Sequence, residues 1–130
     1  MSDWERQIGA ITLFVPDMER AAEFYQEAFG LQAVRPDPDT AMLKFKDVWV
    51  FLHKAAAAQD PVPEVMAEAQ KGAGQLAIIV ADVDAVCSEL TARGVEVISG
   101  PADRPWGMRT VTFADPAGHI WEIAQSLPDA

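Results

Sequence analysis

An internal repeat restricts this chain more than any other feature of its sequence. The segment QLAIIVADVDAVCSELTARG, starting at Gln75, overlies AITLFVPDMERAAEFYQEAFG, starting at Ala10. Ile11 falls on Leu76, Leu13 on Ile78, Val15 on Val80 and Asp17 on Asp82. A repeat of this kind means one supersecondary unit built twice. In each copy a short apolar run reads as a mostly buried strand, and an Asp stands where a helix N-cap is wanted. Apolar residues then recur at helical spacing. Met18, Ala21, Ala22, Tyr25 and Phe29 form the first stripe; Val83, Val86, Cys87 and Leu90 form the second. Gly30 and Gly94 close the two helices, since glycine accepts the left-handed backbone that ends a helix.

Strand-like runs follow each helix. They cover Leu31 to Val34, Ala41 to Phe45 and Trp49 to His53 in the first half, and Val95 to Ile98, Arg109 to Phe113 and Ile120 to Ala124 in the second. The turn signals DPDT, KD and DPAG separate them. The expected fold class is therefore α+β: two β-α-β-β-β modules in one domain spanning residues 1–130. Module 1 covers about 7–54, a connector about 55–73 and module 2 about 74–126. The connector, KAAAAQDPVPEVMAEAQKGAG, has room for a turn of helix in PEVMAEAQ.

Composition narrows the function classes. Half of the residues are hydrophobic, enough for a packed interior in a chain of this length. Twenty acidic residues against ten basic give a net charge of −10, which argues against nucleic acid phosphates and anionic membranes and suits a cationic partner. The longest apolar runs, such as Ile78 to Ala81 and Val48 to Leu52, are far below the roughly 20 residues that span a bilayer. Asp3 and Glu5 stand where a signal peptide carries positive charge. A cytoplasmic location is expected. The single cysteine, Cys87, cannot form an internal disulfide and reads as a small thiol on a helix.

The paired modules, opened by VPDMERAAEFYQEAFGL and VADVDAVCSELTARGV and closed by PADRPWGMRTVTFADPAGHIWEI, resemble the vicinal oxygen chelate superfamily. That group includes glyoxalase I, extradiol dioxygenases, fosfomycin resistance enzymes and bleomycin resistance proteins, and the closing segment is most similar to the bleomycin-resistance type. The resemblance implies that each module curves into a half-barrel sheet and that two halves enclose a cleft. It also implies a homodimer, whose partners in some relatives exchange modules.

In metal-binding relatives four places supply the ligands, on the first and last strands of each module. By resemblance those places fall here on Ala10, Phe51, Gln75 and Glu122. Alanine and phenylalanine offer no donor, and a glutamine amide is a poor substitute for imidazole on a transition metal. No cofactor is expected; the alternative is a divalent metal ion held weakly by His53, Gln75 and Glu122. His53 enters because it shares the strand face of Phe51. His119 reads as a strand-entry residue at a turn.

The cleft so composed is apolar with one acid and one amide, the make-up of a ligand pocket. The expected ligand-binding residues are Phe51, His53, Gln75, Trp106, Arg109 and Glu122, with Arg109 facing either Glu122 or a ligand anion. The expected function is metal-free binding of a small amphipathic or cationic aromatic compound, with no catalytic residue. The alternative is a glyoxalase-like lyase or isomerase, or a dioxygenase, with a reduced metal site. An enzyme without metal would use Glu122 as a general base.

Overall fold

The computed structural model describes residues 6–55, 68, 70 and 75–128. The first module contains β1 (Ala10–Val15), α1 (Met18–Phe29), β2 (Val34–Asp37), β3 (Thr40–Lys44) and β4 (Trp49–Lys54). The second contains β5 (Gln75–Ile79), α2 (Val83–Ala92), β6 (Val97–Asp103), β7 (Met108–Ala114) and β8 (Ile120–Ser126). Each module is a four-stranded sheet, ordered β1-β4-β3-β2 in the first and β5-β8-β7-β6 in the second. The first and last strands of each module pair in parallel, and the other neighbours are antiparallel. The fold is α+β, and neither sheet closes into a barrel.

The helix signals in the sequence operate as expected. Asp17 and Asp82 have extended backbones and accept hydrogen bonds from the amides of Arg20 and Ala85, each at 3.1 Å, which satisfies donors that a helix start leaves free. Gly30 adopts the left-handed conformation at φ 64°, and its amide donates to the Gln26 carbonyl. The buried face of α1 comprises Met18, Ala21, Ala22, Tyr25 and Ala28, the one-sided spacing of an amphipathic helix.

Two strands differ from expectation, and both differences begin at a helix end. The amide of Ala33 donates to the Gln26 side chain rather than to a strand, so β2 begins only at Val34. In the second module the amide of Val95 is spent on the Leu90 carbonyl at the end of α2. The ladder therefore starts at Val97 and runs on to Asp103. Gly100, at φ 93°, lies so close to β7 that a Cβ there would clash with the Thr110 carbonyl oxygen; no other residue fits. The expected helical turn in PEVMAEAQ lies outside the described residues except for Glu68 and Gln70, which have helical backbone. Among the described residues no helix is long and apolar enough to cross a membrane.

Alternation along the strands turns one face of each sheet to the core, although Thr110 and Ala124 are also buried on the other face of the second sheet. Leu13, Val15, Ala41, Leu43, Val50 and Leu52 line the core-side face in the first sheet, and Val111, Phe113, Trp121 and Ile123 in the second. Both faces belong to a single core, because α1 serves both sheets. Phe29, at the end of α1, lies 5.2 Å from Phe45, 5.0 Å from Trp121 and 6.0 Å from Phe113 between ring centroids. Phe45, just after β3, stacks on Trp121 of β8 at 5.5 Å. The modules thus meet through the faces that carry their helices.

At the centre of this contact the Tyr25 hydroxyl, with no exposed surface, accepts from the Trp121 indole N–H at 3.0 Å and donates to the Asp115 carboxylate at 2.6 Å. Replacing Tyr25 by Phe strands the indole N–H in an apolar interior, which costs about 2 kcal/mol. The expected outcome is a lower denaturation midpoint in urea with an unchanged slope; an unshifted midpoint refutes this role for the hydroxyl.

Candidate functional site

Four of the candidate residues, Phe51, His53, Gln75 and Glu122, lie on the faces turned away from the core. In the first sheet that face carries Thr12 and Phe14 of β1, Met42 and Lys44 of β3, and Trp49, Phe51 and His53 of β4. It is an aromatic surface. His53 meets Phe14 edge-on at 5.8 Å, Phe51 lies 6.2 Å from Trp49, and the Lys44 ammonium sits over the Trp49 ring at 5.0 Å, within the range of a cation–π contact.

The corresponding face of the second sheet carries Gln75, Ala77 and Ile79 of β5, Glu122 of β8 and Thr112 of β7. Here Gln75 donates from Nε2 to Glu122 Oε2 at 2.9 Å. Among the described residues this bond is the polar contact that holds Glu122. Phe51 stands opposite Thr12 in the β1–β4 register, and Glu122 stands opposite Ala77 in the β5–β8 register. Thr12 and Ala77 are repeat equivalents, so Phe51 and Glu122 occupy the same place in the two modules.

One chain does not bring these halves together. Among the described residues no hydrogen bond, ion pair or ring contact joins Phe51 or His53 to Gln75 or Glu122, since each set lies on the outer side of its own sheet. Both surfaces are open: Ile79 is 65% exposed, and Phe14, Trp49, Phe51 and His53 are only half-buried. A recess of about 370 Å³ lies instead between the helix-side faces, lined by Ile11, Phe45, Val50, Leu76, Ile78 and Trp121 among others.

Arg109 is placed differently from the sequence expectation. It sits on the β7 face opposite that of Thr112 and Glu122, and its guanidinium is consumed by Asp84 at 2.8 and 3.0 Å and by Asp103 at 3.0 Å. These bonds tie the start of α2 to the β6–β7 hairpin and leave Arg109 no part in Glu122's surroundings. Trp106 occupies the tip of that hairpin, 65% exposed. Trp121 faces the core.

The sequence reading missed a polar centre at the DPAGH turn. Asp115 is buried and accepts five hydrogen bonds: from the backbone amides of Ala117 and His119, from the Tyr25 hydroxyl, from His119 Nδ1 at 2.8 Å and from the amide of Gly118 through its carbonyl. The His119 Nε2 lies 3.3 Å from Gln70 Oε1. The spacing of four between Asp115 and His119 was visible in the sequence, but Tyr25 and Gln70 come from distant parts of the chain. Burial pushes the Asp115 carboxyl up, yet the bonds from His119 and Tyr25 outweigh it and hold it below its ordinary value.

Comparison with known proteins places this geometry in context. Residues 7–123 match the family model described as Glyoxalase/Bleomycin resistance protein/Dioxygenase superfamily. The chain is 30% identical, over 88% of its length and 86% of the relative's, to a "Probable lactoylglutathione lyase" of Vibrio cholerae. Its structure is similar to that of a glyoxalase/bleomycin resistance protein/dioxygenase from Nocardioides, with a TM-score of 0.79 at 27% identity, covering 99% of this chain and 89% of that one. It is also similar to TnmS3, an antibiotic binding protein from Streptomyces sp. CB03234, with a TM-score of 0.69 at 28% identity, covering 94% and 97%.

A carboxyl held low when folded stabilises the native state above its unfolded value, near pH 4, and that contribution is lost as pH falls through the folded value. Stability measured by urea denaturation therefore declines on acidification below about pH 4. Asp115→Asn, which cannot titrate, is expected to be less stable at neutral pH by on the order of 3 kcal/mol and to show a shallower acid limb. An identical acid limb in the variant refutes the assignment.

Proposed function

The chain belongs to the Glyoxalase/Bleomycin resistance protein/Dioxygenase superfamily, and from that premise we propose that it is a metal-free binding protein for a small amphipathic or cationic aromatic compound. The observation that carries this reading is the chemistry of the two outward sheet faces. One is a wall of Phe14, Trp49, Phe51 and His53, and the other holds a carboxylate, Glu122, oriented by Gln75 on apolar surroundings. Aromatic walls suit planar ligands, and an oriented carboxylate suits a cationic or hydrogen-bond-donating group on them.

The family's metal enzymes make a divalent ion the natural rival. Its test is the donor set. Ala10 and Phe51 contribute no donor, and Gln75 spends its amide on Glu122. A carboxylate, a neutral amide and, from the other sheet, the His53 ring do not fit a transition metal that prefers three or four imidazole, thiolate or carboxylate ligands. The similarity to a lactoylglutathione lyase favours a glyoxalase-like reaction as the second reading, and the antibiotic binding neighbour supports the first. Metal analysis of tag-free, dialysed protein is expected to find none. A divalent ion near one per chain refutes the metal-free reading.

The site we propose is completed by a second copy of the chain. Each outward face is half a cleft, and placing the first sheet of one protomer against the second sheet of its partner joins the aromatic wall to Gln75 and Glu122. A homodimer with exchanged modules thus forms two equivalent clefts and removes the exposed apolar surface of both.

Two measurements test this proposal. Glu122→Gln is expected to weaken cationic aromatic ligands on the order of tenfold, read by quenching of tryptophan fluorescence, while neutral analogues are unaffected; equal losses refute the charge argument. Mixing Phe51→Ala protein with Glu122→Gln protein tests the exchange. In an exchanged heterodimer one cleft carries both changes and the other carries neither, so about half of the heterodimer sites recover full affinity. If each cleft belongs to one chain, no intact site arises and no affinity returns.

A further inference from the structure

The hydrogen bonds around His119 can be assigned a direction one by one. Gln70 fixes the first step: its Nε2 donates to the Thr12 carbonyl at 2.7 Å, and its Oε1 accepts from the Phe14 amide at 3.1 Å. Its side-chain amide therefore pairs with the free edge of β1 as another strand would, and its orientation is settled. The atom facing His119 Nε2 is consequently a carbonyl oxygen, which only accepts, so Nε2 must carry a proton.

The second step runs from the core. Trp121 donates to the Tyr25 hydroxyl, so the Tyr25 proton goes to Asp115 Oδ2. The Asp115 carboxyl is held low and is ionised, and an ionised carboxylate only accepts. His119 Nδ1, 2.8 Å from the same oxygen, must therefore carry a proton as well. A ring with both nitrogens protonated is an imidazolium. Among the described residues, the titratable groups facing it are Asp115 on its own turn and, through that carboxylate, Tyr25 of α1. The recess of about 190 Å³ on its other side is lined by β1, β5, Gln70 and Ile120, with Thr12, Gln75 and Gln70 as its neutral polar residues.

We propose that His119 is a proton-controlled latch: as an imidazolium it bridges the buried Asp115 to Gln70 and so holds residue 70 of the connector on the edge of β1. Loss of its proton leaves Nδ1–H on the carboxylate, where the charge interaction is strongest. The Nε2 lone pair then faces the Gln70 oxygen, and attraction becomes repulsion. Gln70 loses its hold on the second module, and the Thr12 carbonyl and Phe14 amide on the β1 edge are released to solvent. The latch is closed while both ring nitrogens carry protons, and it opens as rising pH removes the one on Nε2. This inference does not depend on the ligand proposed above.

The test is nuclear magnetic resonance on the full-length, 15N-labelled protein between about pH 5 and 9. Imidazole nitrogen shifts report which His119 nitrogens carry protons, and hydrogen exchange of the Phe14 amide, corrected for the intrinsic effect of pH, reports the β1 edge. Protection of Phe14 is expected to fall on the order of tenfold along the same curve as His119 deprotonation. In Gln70→Met the Phe14 amide is expected to exchange fast at every pH while His119 still titrates. Constant Phe14 protection through the His119 titration overturns the proposal, as does a singly protonated ring at a pH where Phe14 is fully protected. Both of those readings come from the unaltered chain, so the proposal stays testable if the variant does not fold.

Discussion

A phenol with no access to water must place its hydroxyl on protein partners, and Tyr25 finds both of its partners in the other module. The Trp121 indole and the Asp115 carboxylate hold it at 3.0 and 2.6 Å, and Phe24, Phe29 and Trp121 pack around its ring. A buried polar network is stabilising only when every member is satisfied; here, among the described residues, no buried side-chain nitrogen or oxygen lacks a partner. The orientation of α1 across the second sheet follows from this. Moving the helix by even one turn would strand an indole N–H and a carboxylate in the core.

The rest of the architecture follows from where those bonds point. Because the modules join through their helix-side faces, the opposite faces of both sheets turn outward, and the residues that resemble a ligand site are divided between two surfaces. The repeat makes those surfaces equivalent in backbone, with Phe51 and Glu122 at matching places, but the side chains have diverged into an aromatic wall and an acid–amide pair.

Much of the fold was readable because it rests on local physics. Asp17 and Asp82 cap helices through bonds to amides three residues away, and Met18, Ala21, Ala22 and Tyr25 mark a buried face by spacing alone. Strand limits were less readable where a helix end captured the next amide, as at Ala33 and Val95. Arg109 shows a different limit. Its parity along β7 puts it on the other face of the sheet from Glu122, but the strand's register had to be known before the parity could be used. The Asp115 centre was out of reach for a further reason: Tyr25 is 90 residues away, and nothing near DPAGH names it.

By itself the sequence determined the module, its duplication, the caps and the absence of donor atoms from the Ala10 and Phe51 side chains, because each of these depends on residue type and on spacings of a few positions. Only the tertiary structure decided which faces of the two sheets meet, that Glu122 is held by Gln75, that Arg109 belongs to Asp84 and Asp103, and that His119 links the core to Gln70. Those outcomes depend on pairing groups far apart in the chain, and such pairings are selected by the packing of the whole core rather than by any local preference.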